Sequence, residues 1–152
     1  LGVCALSGYV PGIRMAGTFG DTLLGLMRVL PCAFLLIGLF DVWVKRPGGQ
    51  PYVGNVWPGA CVFPDFTRGA VRTWWAGLFP EFLGLGVDGI WNDMNEPAVF
   101  ASRGDPTLPR CTRHALEGRG GDHREAHNLY GLLEDRAGYE ALARHRPDAR
   151  PG

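Results

Sequence analysis

Ten consecutive residues, Asp88-Gly-Ile-Trp-Asn-Asp-Met-Asn-Glu-Pro97, hold the densest chemistry in this chain of 152 residues. A short apolar run ends there in a cluster of amides and carboxylates. Side chains alternate along an extended backbone, so Trp91 and Asp93 fall on the same side if the chain stays extended through the junction. An indole platform beside a carboxylate suits a sugar ring. Breaking a glycosidic bond with retention of configuration needs a carboxylate nucleophile and a carboxylic acid about 5 to 5.5 Å away to protonate the leaving oxygen. Asp93 suits the first role. On spacing alone Glu96 suits the second, because a turn brings side chains three residues apart together, and Pro97 disfavours helical geometry at Glu96. The competing reading is that both carboxylates hydrogen-bond loop amides at a strand end.

The elements that must position this cluster can be read from the flanking sequence. Residues 41–45 form a short helix or strand, 46–49 a turn, and 51–57 a strand with Tyr52, Val53 and Val56 as its apolar residues. A turn at Pro58 and Gly59 follows. Val71, Trp74, Trp75, Leu78, Phe79 and Phe82 then recur at spacings of three and four, which predicts one helix with a broad apolar face, capped by Asp65 or Thr67 and ending near Gly84 and Gly86. Trp74 and Trp75 belong to the core on this pattern. Residues 87–91 read as a second strand, and strand, helix, strand is the βαβ unit of parallel sheets and (β/α) barrels. In such a barrel a strand end bearing carboxylates is the catalytic face. A long loop over residues 98–121 leads to a second helix, opened by Asp122 and Glu125 in a capping-box arrangement, continued through Leu129, Leu133, Ala137 and Ala141, and closed before Pro147.

Composition narrows the function classes. Apolar residues are 46% and charged residues 20%, a globular profile, and the formal net charge is zero. Neither nucleic acid nor an anionic membrane surface has an electrostatic claim on such a chain. The apolar stretch over residues 23–40 is interrupted by Arg28 and Pro31, and its uncharged part is shorter than the roughly 20 residues a membrane helix needs. Cys4, Cys32, Cys61 and Cys111 stand singly, which suits thiols in a reducing compartment and slightly favours the cytoplasm. The chain starts at Leu1, so an upstream segment is expected. His123 and His127, four apart on a helix, invite a zinc reading. Arg124 occupies the place where a zinc protease needs glutamate, and helix capping explains the charges more simply.

Gly89-Ile-Trp-Asn-Asp-Met-Asn-Glu-Pro97 resembles the signature of glycoside hydrolase family 31, the α-glucosidase family. Tyr52-Val-Gly-Asn-Val-Trp-Pro-Gly59, Phe63-Pro-Asp-Phe-Thr67 with Trp74-Trp75, and His123-Arg-Glu-Ala-His-Asn-Leu-Tyr-Gly131 resemble further family motifs, in the family's order, so that residues 41–146 are covered. The resemblance implies an α/β fold, a (β/α)8 TIM barrel present in part and incomplete at both ends, with residues 41–147 as the barrel portion and 148–152 as a tail. It implies a covalent glycosyl intermediate on Asp93, support of that nucleophile by Glu96, and a sugar pocket lined by Trp57, Trp91 and Met94. The substrate class implied is an α-glucoside oligosaccharide, with glucose favoured over xylose. No metal and no cofactor is expected, and the oligomeric state is left open.

Two departures from the family pattern carry expectations. The family's general acid, an aspartate on a later strand, has no counterpart here, so the chain alone is expected to be inactive. Residues 15–38 resemble nothing in the family, and Val10-Pro-Gly-Ile-Arg14 lacks the aspartate of the family's Asp-Pro-Gly-Ile strand. A disturbed reading frame or an insertion before Asp41 is the expectation for that divergent segment, residues 1–40. The alternative function is a non-catalytic carbohydrate-binding remnant, since tryptophans and amides bind sugars without an acid and base.

Overall fold

A computed structural model describes residues 10–11, 41–57, 59–87, 89–100, 104 and 106–148. The apolar stretch over residues 23–40, Cys4 and Cys32 lie outside them. Strand β1 (Val10–Pro11), β2 (Val53–Val56) and β3 (Gly59–Val62) form one antiparallel sheet in the order β1-β3-β2. Val56 pairs with Gly59 across the hairpin, and Gly59 takes a φ of +106°, a conformation that costs glycine little. Alternation along β2 buries Gly54 and Val56 and leaves Val53 exposed, so Val53 is not a core residue as its apolar side chain suggested.

The anticipated single helix is two. Helix α1 (Gly69–Ala76) stops at Gly77, and α2 (Phe79–Gly84) starts afresh. Pro80 has no N–H to continue the ladder and fits the opening turn of a new helix. The residue capping α1 is Arg68, without a side-chain cap bond, because Asp65 and Thr67 are turned toward residues 114–116. Residues 89–91 join no strand among the described residues, so the second strand of the expected βαβ unit is not formed there. A strand forms only by hydrogen-bonding to a neighbour, and no ladder among the described residues includes this stretch.

The loop over residues 98–121 contains more order than its composition suggests. Ala98 bridges Thr107, and β4 (Arg113–His114) pairs with β5 (Gly121–Asp122). Helix α3 (His123–His145) begins as expected, with the Asp122 carboxylate accepting the Arg124 N–H at 3.0 Å. The capping box is only half made, because Glu125 pairs with Arg119. Leu129, on the anticipated apolar face, is exposed, whereas Ala137 and Ala141 are buried.

The core lies between α1, α2 and α3 under the hairpin. Phe66 meets Trp75 and Tyr130 edge-on, each at a centroid distance of 5.2 Å, and Phe79 packs over Gly138. Trp75 is fully enclosed and Trp74 packs against the cluster from its edge, as the helical spacing predicted. Among the described residues no helix is long and apolar enough to cross a membrane.

Candidate active site

Local chain geometry changes abruptly at the predicted nucleophile. Ile90 packs against the core, and Asp93 is half-buried. Met94 then adopts a φ of +59°, a left-handed conformation that costs a non-glycine residue on the order of 1 to 2 kcal/mol. Its N–H donates to Asp93 Oδ1 at 2.9 Å, and its carbonyl accepts the Ala98 N–H at 2.9 Å, which closes a tight turn over residues 94–98. The Glu96–Pro97 peptide within that turn is cis. The left-handed Met94 backbone persists only where the surroundings over-determine it, a condition common at active sites.

The surroundings here are on α3. Asn92 Nδ2 and Asn95 Nδ2 both donate to Asp135 Oδ1, at 2.8 and 3.2 Å. The turn can sit this close because residue 131 is glycine: a Cβ there would stand 2.9 Å from the Asn95 carbonyl oxygen. We expect Gly131→Ala to push the turn off the helix and cost about 1 to 3 kcal/mol in urea unfolding, as overpacking does elsewhere. An unchanged midpoint would mean that the contact is slack.

The five side chains singled out in the sequence do not all meet. Met94 and Glu96 line one cavity of about 670 Å³, together with Thr107, Arg110, His123 and His127. Asp93, Trp57 and Trp91 are not on its walls. Trp91 is 72% exposed. Trp57, 73% exposed, meets Phe100 edge-on at a centroid distance of 4.7 Å. Phe100, Thr107, Arg110, His114 and Asp135 were not anticipated as neighbours of the motif. They lie in the stretch over residues 98–121, which includes the two-residue strand β4, or on a polar helix face, where no periodicity marks them.

Behind the cavity lies a buried polar cluster. The Asp65 carboxylate, 2% exposed, accepts from the Thr67 hydroxyl at 2.6 Å and the Ala115 N–H at 2.7 Å, with His114 Nδ1 at 3.2 Å. Burial alone would raise its pKa, but hydrogen bonds from His114, Thr67 and Ala115, with the charge of His114, outweigh it and hold the carboxyl below its ordinary value. Burial, followed by the neighbouring imidazoles of His114 and His127, pushes His123 down to about 4. His123 and His127 face each other, Nε2 to Nδ1, at 3.3 Å. No group of three or more metal-ligating side chains is assembled among the described residues.

Comparisons with known proteins agree on the family. The model for the glycosyl hydrolases family 31 TIM-barrel domain matches residues 39–152. Alpha-glucosidase 2 of Bacillus thermoamyloliquefaciens is 40% identical over 111 residues, covering 73% of this chain and 14% of that enzyme. Neutral alpha-glucosidase AB of Homo sapiens is 38% identical over 104 residues, covering 66% of this chain and 11% of that protein. Among solved structures, the glucosidase II alpha subunit bound to Glc1Man2 superposes with a TM-score of 0.63 at 30% identity, over 93% of this chain and 14% of that one. A Flavobacterium johnsoniae GH31 dextranase complexed with glucose gives a TM-score of 0.62 at 33% identity, over 74% of this chain and 13% of that one. The chain thus spans a small part of each relative's length. On the motif, its position beside α3 and the extent of the family match, this chain belongs to glycosyl hydrolase family 31, within its TIM-barrel domain.

Proposed function

We propose that this chain carries the nucleophile-bearing part of a retaining α-glucosidase barrel, acting on terminal α-linked glucose of oligosaccharides. The observation that carries the reading is the half-buried Asp93, placed where the chain leaving Ile90 enters a left-handed turn held to α3. Asp93 attacks the anomeric carbon, the leaving oxygen departs protonated, and water then releases the sugar from the covalent ester. Glu96 supports the turn and does not supply the proton. Trp57, Trp91 and Met94 contact the terminal sugar, the first two as exposed indole faces that suit stacking on a pyranose ring.

The general acid lies outside these residues in this reading, on a later barrel strand, so these residues supply only part of the catalytic barrel. The chain alone therefore releases no nitrophenol from p-nitrophenyl α-glucoside. A chimera of Bacillus thermoamyloliquefaciens alpha-glucosidase 2, with residues 41–148 of this chain replacing the matched stretch, does release it. Turnover by the isolated chain that disappears in Asp93→Ala would contradict the first expectation. A folded chimera that binds glucose but never turns over would favour the alternative, a carbohydrate binder. The exposed Trp57–Phe100 pair supports that alternative.

A further inference from the structure

Four side chains with no part in the covalent chemistry form one unbroken line from the buried core to the motif. Asp65 Oδ1 lies 3.2 Å from His114 Nδ1, and His114 Nε2 lies 3.1 Å from His123 Nδ1. His123 Nε2 lies 3.2 Å from Thr107 Oγ1, and the Thr107 hydroxyl donates to the Pro97 carbonyl at 2.9 Å. Asp65, His114 and His123 are each at most 3% exposed, and polar groups buried to that degree are hydrogen-bonded as a rule.

Each of the four contacts needs one hydrogen between its heavy atoms. The ends can only accept: Pro97 offers a carbonyl, and Asp65 already receives the Thr67 hydroxyl and the Ala115 N–H, as an ionised carboxylate does. The hydrogens must come from the three groups between. Thr107 has one and each neutral imidazole has one, which makes three hydrogens for four contacts. A fourth is present if one imidazole is doubly protonated. His114 is the ring beside the carboxylate. Arg68 Nε, 3.8 Å from Asp65 Oδ2, is the other cation facing that carboxylate. His123 faces His114 and His127, and the charge of Asp122 on β5 acts on it from its own chain neighbour.

We propose that Asp65, His114, His123 and Thr107 form a directional relay, with His114 as an imidazolium, and that they are positioning residues for the Asp93–Glu96 stretch. His114 donates to Asp65 and to His123, His123 donates through Nε2 to Thr107, and Thr107 donates to the carbonyl one residue beyond Glu96. Asp135 holds the amides of the motif from one side, and the relay holds its far end from the other. The part of this inference that concerns catalysis rests on the assignment of Asp93, whereas the protonation pattern does not.

Ring nitrogen NMR of the whole chain labelled with 15N-histidine tests it at neutral pH. The expected pattern is His114 protonated on both nitrogens and His123 on Nε2 alone. The competing neutral arrangement, in which His127 donates to His123 and no hydrogen lies between His123 and Thr107, puts the His123 proton on Nδ1 and overturns the relay. Thr107→Val should then shift the backbone amides of residues 94–96 and 98, with Thr107→Ser restoring them. Unmoved amides would remove the positioning role. In the chimera, Thr107→Val should lower kcat roughly 10- to 100-fold with KM little changed, the cost of a slightly misplaced reacting group. The ring pattern without turnover would fault the assignment of Asp93 and leave the relay standing.

Discussion

Glu134→Met should raise the stability of this protein by about 3 kcal/mol at pH 7, close to 10 °C in melting temperature for a domain of this size. The Glu134 side chain is 0% exposed, and neither carboxylate oxygen has a hydrogen-bond partner among the described residues. Burial, with a smaller contribution from the charge of Asp135, pushes its pKa up to about 9. The folded protein therefore holds a proton that the unfolded chain has released above pH 4.5. Stability falls as pH rises from about 4.5 to about 9, and at pH 7 the accumulated loss is about 3 kcal/mol at 1.36 kcal/mol per unit. Methionine keeps the unbranched shape without the acid. Glu134→Gln is the control: it should flatten the decline between pH 6.5 and 9 while still burying a polar group. His123 works in the opposite direction, since a ring kept neutral down to about 4 loses stability as pH falls from 6.5. Urea unfolding across pH 4 to 9 checks both slopes. Equal slopes in Glu134→Gln and the parent would show that the carboxyl is ionised and partnered.

Asp93→Asn in the chimera should lower kcat/KM at least about 10⁴-fold, which corresponds to about 5 kcal/mol of transition-state stabilisation. The amide preserves the shape of the turn and can still accept the Met94 N–H, so folding should be little affected. Glu96→Gln should cost far less, because Glu96 is exposed and is assigned only a supporting role. A larger effect at Glu96 than at Asp93 would reverse the roles given to the two carboxylates.

Local signals in the sequence were legible because local physics produces them. Asp122 before an amphipathic run became an N-cap, and an apolar run into Trp-Asn-Asp-Met-Asn-Glu became the turn at residues 94–98. Pro80 was visible as well, but the apolar spacing on either side of it was continuous, and the ring divided the helix regardless. What stayed hidden depends on distant pairs. Asp65 read as a helix cap because nothing near it in sequence reveals His114, 49 residues away. Asp135 carries no signal of its own in the sequence, although it holds two amides of the motif from 40 and 43 residues away. Residues 89–91 have the composition of a strand, yet pairing decides whether one forms.

Mechanism-based labelling probes the assignment of Asp93 most directly. A 5-fluoro-α-glucosyl fluoride needs no acid to expel fluoride, so trapping reports the nucleophile alone. The chimera, digested and sequenced by mass spectrometry after exposure, should carry one glycosyl adduct on the Asp93 side chain, absent from Asp93→Asn. An adduct on Glu96, or on any other carboxylate while Asp93 stays unmodified, would contradict the account.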